Sequence, residues 1–188
     1  PKIAPTQVVI IPIGSDDKVK DITNDLYSKL NSANIRINID NTEKTPGFKF
    51  AEAEVNGIPV RVEIGPRDLE NNEITLARRD TKEKIKVSLN EDIVSVINNL
   101  LNDIQTNLYN KALERRNSQT YEAHTLDEVK DIMDNHPGFV KAMWCGNEEC
   151  ELKMKEIRGT KSRCILEHEK PIDDKCIVCG KPSKDLVV

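Results

Sequence analysis

The sequence of 188 residues predicts an α/β domain over residues 1–118, followed by a small α+β domain over residues 119–188. Three observations support this prediction. First, strand-like, helical and again strand-like patterns follow one another at the start of the chain, as in a right-handed βαβ unit. Second, two further strand patterns form a hairpin before a long amphipathic helix. Third, four cysteines in two short pairs occur near the end of the chain.

The βαβ unit covers residues 7–39. Residues 7–13 (QVVIIPI) form an apolar run that is typical of a strand buried on both faces. After a polar turn, apolar residues recur at helical spacing: Val19, Ile22, Leu26 and Leu30. We expect the helix to end at Asn34, and residues 35–39 then alternate between apolar and polar, as in a half-buried strand.

The remaining elements of the first domain complete a mixed sheet. They are a short helix, a strand, the two strands of a hairpin and a long helix, predicted over residues 48–55, 59–64, 73–79, 84–89 and 90–115. The long helix has a candidate cap at Asn90, and its apolar stripe comprises Ile93, Ile97, Leu101, Ile104, Leu108 and Ala112. The prediction is therefore a five-stranded mixed sheet flanked by three helices, with residues 65–68 as a rigid turn.

The second domain begins where the composition shifts, at residues 117–120. Thr125 and Glu128 are spaced as a capping box for a helix that ends near Asn135. A strand, a helix and an extended segment are predicted after it, over residues 138–144, 148–157 and 162–166. A unit of this size buries little apolar surface, so we expect a bound metal to supply much of its folding free energy.

The metal ligands are predicted from cysteine spacing. A C-x4-C pair is followed by a C-x2-C pair: Cys145, Cys150, Cys176 and Cys179. Two such pairs can place four thiolates around one tetrahedral Zn2+ with no open position, which indicates a structural site. The C-x2-C pair alone is also typical of a thioredoxin-like redox site. The second pair makes that interpretation the weaker one.

No catalytic residue is predicted. The chain has no Gly-rich phosphate loop, no H-E-x-x-H motif and no nucleophile elbow, and His124, His136 and His168 are scattered. We expect these histidines to be surface or packing residues. The fifth cysteine, Cys164, has apolar neighbours and is expected to be a buried thiol in a strand, with a spare ligand or a reactive thiol as alternatives.

Composition excludes several classes of protein. The formal net charge is −4, charged residues make up 32% and aromatic residues 4%, so the chain is not one that coats nucleic acid indiscriminately. No apolar run is long enough to cross a membrane, and no signal peptide is visible. Thiols at metal-binding spacing suit a reducing cytoplasm. Because the sequence opens on Pro1, we expect it to be a piece of a longer protein.

Polar residues with a suitable chemistry for unpaired guanine cluster in the middle of the first domain. Phe50 and Glu54 share the short helix, Arg67 lies in the turn at 65–68, and a basic strip runs over residues 78–86. A ring can stack on a base, a carboxylate can accept the N1–H and N2–H of guanine, and a guanidinium can bind base or phosphate. The alternative is a solvated, charge-rich hairpin with Phe48 and Phe50 in the core.

Four segments carry a resemblance to a known family. Residues 45–50 (TPGFKF), 56–68 (NGIPVRVEIGPRD) and 78–81 (RRDT) resemble the anticodon-binding domain of archaeal/eukaryotic-type prolyl-tRNA synthetases. Residues 3–12 (IAPTQVVIIP) are similar to the segment that enters this domain, and the two cysteine pairs are similar to the zinc-binding C-terminal domain of that type. The resemblance is colinear over the whole chain.

The resemblance implies the class IIa anticodon-binding fold and a site for tRNA(Pro), whose anticodon ends in two guanines. The residues that match its anticodon site are Phe50, Glu54, Arg61, Arg67 and Asp68, with a hairpin lysine that is either Lys82 or Lys84. It also implies that the parent protein is a cytoplasmic, homodimeric proline ligase. ATP and Mg2+ would bind to its catalytic domain, elsewhere in the same polypeptide. This chain alone is then expected to be inactive, with neither DNA nor a membrane as a partner.

Two other functions remain as alternatives. The first is an adaptor that uses an anticodon-binding-like domain to bind RNA or protein, which would fit the negative net charge. The second is a thiol oxidoreductase with Cys176 and Cys179 as its redox pair, which predicts disulfide turnover in place of bound metal.

Overall fold

The computed structural model describes residues 2–188, which form two compact units that divide between Lys111 and Ala112. Each unit is described by itself. Within the described residues, no helix combines the length and the apolar content that are needed to cross a membrane.

The first unit is built on one five-stranded sheet. Its strands are β1 (Val8–Pro12), β2 (Ile37–Ile39), β3 (Val60–Ile64), β4 (Glu73–Arg78) and β5 (Lys84–Ser88), in the spatial order β2-β1-β3-β4-β5. Strand β1 is parallel to both β2 and β3, whereas β4 is antiparallel to β3 and to β5. The predicted five-stranded mixed sheet is confirmed: the strands of the βαβ unit are parallel and the strands of the hairpin are antiparallel.

Helices cover both faces of this sheet: α1 (Asp17–Ser32), α2 (Pro46–Val55), α3 (Pro66–Glu70) and α4 (Ile93–Ser118). Val8 and Ile10 of β1 join the large core cluster that contains the buried residues of α1 and α4. Val9 and Ile11 point to the opposite face and pack with Ala53 of α2. Because side chains alternate along a strand, Arg61 and Glu63 of β3 lie on the α2 face.

Three sequence predictions about this unit were wrong in detail. Residues 66–70 form a short helix, α3, rather than only a turn. Helix α4 begins at Ile93 instead of at an Asn90 cap, because Asp92 accepts hydrogen bonds from both the backbone N–H and the hydroxyl of Ser95. The apolar stripe of α4 is buried only as far as Ile104, whereas Leu108 and Ala112 are exposed.

The second unit contains a three-stranded sheet and two helices besides the end of α4. The strands β6 (Thr120–Glu122), β7 (Phe139–Trp144) and β8 (Asp185–Val187) lie in that order, with β6 parallel and β8 antiparallel to β7. The helices are α5 (Leu126–Asn135), which has the predicted capping box, and α6 (Glu148–Lys155). The segment 162–166 makes one isolated bridge to β8, at Ile165, and no regular strand.

Candidate functional site

One face of the first unit carries a connected group of charged side chains. The register of the sheet places Arg61 of β3 beside Ala77 of β4, and Ala77 beside Lys84 of β5. The small side chain of Ala77 leaves room for the two cations on either side of it. The α2 helix lies on the same face, so its polar side chains meet those of the sheet.

A buried carboxylate, Glu63, joins two of the predicted site residues. Its Oε1 accepts a hydrogen bond from Nε of Arg61 at 2.9 Å, and its Oε2 accepts one from Nζ of Lys84 at 2.8 Å. Both Glu63 and Arg61 are buried, so this pair is fixed by desolvated ionic hydrogen bonds. The sequence prediction missed Glu63. The sequence pattern that could have identified Glu63 is its alternation with Val62 and Ile64, because this alternation places Glu63 on the same face of the sheet as Arg61.

The ring of Phe50 completes this part of the site. The guanidinium of Arg61 lies 4.3 Å from the ring centroid, and Nζ of Lys84 lies 5.2 Å from it. These are cation–π distances. Phe50 is half-buried and packs against the small core cluster of Val9, Ile11 and Ala53. Phe48, on another side of the helix, is exposed beneath the ammonium of Lys44.

Glu54, one turn after Phe50 on α2, is the partly exposed carboxylate of the group. Its Oε2 is 2.6 Å from Nζ of Lys82, and its Oε1 is 3.6 Å from a terminal nitrogen of Arg61. The hydrogen bond from Lys82 lowers the pKa of the Glu54 carboxyl below its ordinary value. Its side chain is 40% exposed, so an ionised acceptor is available to a ligand that displaces the ammonium.

The β4–β5 hairpin supplies that ammonium from a constrained turn. Lys82 has a φ of +65°, in the left-handed region, and its backbone N–H donates to the carbonyl oxygen of Arg78. Arg79 donates from Nε to the carbonyl oxygen of Glu54 at 2.8 Å. Both candidate hairpin lysines therefore lie in the site, Lys82 on Glu54 and Lys84 on Glu63.

Arg67 and Asp68 lie on α3, at one side of this group. Asp68 accepts a hydrogen bond from the hydroxyl of Thr75 at 3.3 Å, and Nζ of Lys86 is 4.0 Å from the same carboxylate oxygen. Thr75 is opposite Glu63 in the sheet, so Asp68 faces the same surface. Arg67 is exposed and forms no ion pair within residues 2–188. The structure thus connects five of the seven predicted residues, places Asp68 beside them, and leaves Arg67 outside their contacts.

Four cysteines of the second unit form a separate cluster: Cys145, Cys150, Cys176 and Cys179. Their sulfur atoms all lie within 4.8 Å of one another. The Sγ–Sγ distances are 3.7 Å for Cys145 and Cys150 and 3.8 Å for Cys145 and Cys179, far too long for a disulfide. Four sulfurs at about 2.3 Å from a tetrahedral zinc would be about 3.8 Å apart. The cluster fits a metal ion.

Local turns bring these thiols together. Cys145 follows β7 and precedes Gly146, whose φ of +85° turns the chain into α6, where Cys150 lies. Gly180, with a φ of +69°, donates its N–H to the carbonyl of Cys176 and closes the second turn. The backbone N–H of Ile177 donates to Met143 of β7, which joins the two turns.

The thiols of the cluster differ in acidity. Burial raises the pKa of the Cys150 thiol to about 12. Burial acts in the same direction on Cys176, but backbone N–H groups of Cys179 and Val178 outweigh it and lower the pKa of that thiol to about 7. A metal that binds all four as thiolates must therefore displace protons, above all from Cys150.

The fifth cysteine and the three histidines lie outside both clusters. Cys164 is exposed rather than buried in a strand, and the segment around it forms only an isolated bridge. His124, His136 and His168 are exposed, as expected for surface residues. His124 places Nδ1 3.3 Å from a carboxylate oxygen of Asp173.

Comparisons with known proteins agree with the two units. Residues 7–100, half of the chain, match the family model described as "Anticodon binding domain", and residues 126–188 match the one described as "Prolyl-tRNA synthetase, C-terminal". Among curated relatives, proteins named "Proline–tRNA ligase" are 47% identical in Clostridium novyi and Ruminiclostridium cellulolyticum, and 44% identical in Lachnospira eligens.

Each of these alignments covers all of this chain but 39% of the relative, so the chain spans about two fifths of the length of the proteins it matches. The descriptions of the two family models agree with the resemblance to the anticodon-binding and C-terminal domains of prolyl-tRNA synthetases, without specifying the archaeal/eukaryotic type. The chain therefore belongs to the anticodon-binding domain family.

Proposed function

We propose that this chain is the tRNA-recognition portion of a proline–tRNA ligase and that the charged face of its sheet binds the anticodon of tRNA(Pro). The observation that carries the proposal is the position of Glu54, a partly exposed ionised carboxylate flanked by Lys82 and Arg61. It lies in a domain whose family binds anticodons. The relatives' names supply proline as the amino acid.

The carboxylate of Glu54 provides two acceptor oxygens side by side, and the N1–H and N2–H donors of a guanine edge match that spacing. A guanine in this position takes the place of the Lys82 ammonium. Lys82 is then free to bind a backbone phosphate, so the exchange keeps Glu54 satisfied throughout. Phe50 and the guanidinium stacked on it offer a flat surface for a base.

The neighbouring residues have distinct parts in this proposal. Glu63 holds Arg61 and Lys84 in place, so that both cations are positioned before RNA arrives. Asp68 and the exposed Arg67 extend the surface along α3, toward the next nucleotide. Arg67, unpaired among the described residues, is suited to a phosphate or to guanine O6 and N7.

The cysteine cluster is proposed to hold one Zn2+ in a structural site. Four thiolates leave no open coordination position, and the sulfur separations match a tetrahedral ion. Bound there, the ion would supply a cross-link between β7, α6 and the turn at residues 176–179. This cross-link would add to one that the chain itself makes, because the backbone N–H of Ile177 already donates a hydrogen bond to β7.

For the whole protein, the proposal is an ATP-dependent ligase of the archaeal/eukaryotic type that attaches proline to tRNA(Pro). Its ATP and Mg2+ would bind to a catalytic domain of the same polypeptide, outside residues 1–188. The parent would be a cytoplasmic homodimer. This part of the proposal rests on the names of relatives that are longer than this chain and on the resemblance in its sequence.

The experiment that tests the anticodon site compares Glu54→Gln with Glu52→Gln. Both residues are on α2 and both pair with a lysine, but Glu52 pairs with Lys44 outside the site. Binding of a proline anticodon stem-loop is measured with its two guanines present and with each replaced by adenine. We expect Glu54→Gln to lose about 1–3 kcal/mol of binding free energy for the guanine stem-loop and to bind the altered ones equally weakly.

The control variant Glu52→Gln should keep the affinity and the guanine preference of the unaltered chain. The adaptor alternative predicts a different result, since it needs no guanine preference. If the unaltered chain binds guanine and adenine stem-loops alike, or if both variants lose affinity equally, the proposed site is wrong.

A further inference from the structure

A second buried carboxylate lies behind the hairpin that carries Lys82. The side chain of Asp80 is 2% exposed, and its two oxygens accept hydrogen bonds from Nε and a terminal nitrogen of Arg78 at 2.8 and 2.9 Å. Asn107 of α4 donates its side-chain N–H to the same carboxylate. The basic strip predicted over residues 78–86 includes Arg78 and Asp80, but the side chains of these two residues and of Asn107 pair with one another and do not contact the charged face described above.

These contacts fix the hairpin from the side opposite to the candidate site. Arg78 points to the α4 face of the sheet, because its neighbour Ala77 lies on the α2 face with Arg61. On the α2 face, the same hairpin delivers Arg79 to the carbonyl of Glu54 and Lys82 to its carboxylate. The turn is therefore held by one buried ionic network while it presents a cation on the other side.

The turn needs such support. Lys82 adopts a left-handed backbone conformation that an L-residue other than glycine seldom adopts. Its side chain is 60% exposed, so its own packing does not fix it. Asn107 provides a tie from a regular helix, which is a rigid reference compared with a turn of four residues.

We propose that Asp80 and Asn107 are positioning residues for anticodon binding: by fastening the β4–β5 hairpin to α4, they direct Lys82 to Glu54 and to the RNA backbone. This inference rests on the proposed function of Lys82. We call the contact between Asp80 and Asn107 the clamp. Lys84 is independent of the clamp, because its ammonium is held by Glu63 instead. The clamp therefore acts on one hairpin lysine and not on the other.

The experiment measures the dependence of stem-loop affinity on salt concentration. For a single strand, each phosphate contact contributes about 0.7 to the slope of log K against log salt. We expect Lys82→Ala to lower the magnitude of the slope by about 0.7, and Asn107→Ala, which changes no charge, to lower it by the same amount. In the double variant the slope should fall no further. Asn107→Ala and Lys84→Ala, by contrast, should have additive effects.

A control separates positioning from loss of stability. Ile104→Val destabilises the buried side of α4, one turn before Asn107, and should leave the salt slope unchanged. Asp80→Ala serves as a second variant of the clamp. Combined with Lys82→Ala, it should lower the salt slope no further than Lys82→Ala alone.

The outcomes are distinct. If Lys82→Ala lowers the slope but Asn107→Ala and Asp80→Ala do not, the clamp has no positioning role. If the effects of Asn107→Ala and Lys82→Ala add, the clamp acts by another route and the inference is wrong. If Lys82→Ala itself leaves the slope unchanged, the proposed contact of Lys82 with RNA fails, and the clamp proposal fails with it.

Discussion

Removal of the Zn2+ that we propose for the cysteine cluster should unfold the second unit and spare the first. The perturbation is either a strong chelator or Cys179→Ser, which replaces an exposed thiol, a proposed ligand, by a hydroxyl that binds zinc poorly. Cys164→Ser is the matched control, since Cys164 is also exposed and lies outside the cluster.

The magnitude follows from how little apolar surface the second unit buries. Apart from two cysteines of the cluster, its buried apolar residues are Ala123, Val129, Ala142, Met143 and Leu186. The three larger side chains contribute about 1.5–3 kcal/mol each, or about 5–9 kcal/mol together, and this is an upper estimate. A structural zinc site contributes an apparent 10–16 kcal/mol or so at neutral pH. The proposed ion would therefore contribute more free energy of folding than the apolar core of this unit.

The assay combines elemental analysis with hydrogen exchange resolved along the chain. We expect one Zn2+ per chain before chelation, and afterwards loss of amide protection in β6, β7 and β8 with protection of β1–β5 retained. Cys179→Ser should behave like the chelated protein, and Cys164→Ser like the untreated one. Full protection of β7 in metal-free protein would refute this reasoning, as would loss of protection in both units together.

Three further predictions test the hairpin and the second sheet. The Arg78 hydrogen bonds hold the pKa of Asp80 at about 2 against an ordinary 3.8, so as the pH falls the unfolded chain binds a proton at Asp80 before the folded chain does. The free energy of unfolding should therefore fall by about 2 kcal/mol as the pH drops from about 4 to about 2. Urea titrations of Asp80→Asn should show no such loss from this group. Lys82→Gly should unfold less readily than Lys82→Ala by about 1 kcal/mol in the same titration, because glycine tolerates the positive φ; equal stabilities would contradict the left-handed turn. Gly138→Ala should lower the melting temperature of the second unit, because a Cβ there would lie 2.3 Å from the carbonyl oxygen of Gln119; an unchanged melting temperature would show that β6 and β7 can separate at no cost.

Local patterns were sufficient where a constraint acts over a few residues. The alternation in β3 separates Arg61 and Glu63 from Val60, Val62 and Ile64, and the same pattern is visible in the letters of the sequence. The capping box at Thr125 was predicted from two residues three positions apart, and the structure confirms it. The two cysteine pairs were recognised in the same way, since each pair is held by its own turn.

Short elements and exposed ends were not predictable in this way. Strands β6 and β8 have three residues each, too few to show a period of two. Helix α3 has five residues and begins at a proline, which suits a turn equally well. Leu108 fits the helical stripe of α4, but whether a partner covers that position is not encoded in its spacing.

The sequence by itself therefore determined the order of the longer elements, the two faces of the sheet, the two cysteine pairs that cluster and the residue types that meet on the charged face. Only the tertiary structure decided which charges pair. Lys82 reaches Glu54 across 28 positions, Lys84 reaches Glu63 across 21, and Asp80 meets Asn107 across 27. The physical reason is that periodicity fixes the direction of a side chain from its immediate neighbours, whereas an ion pair depends on strand register and helix placement set by the whole core.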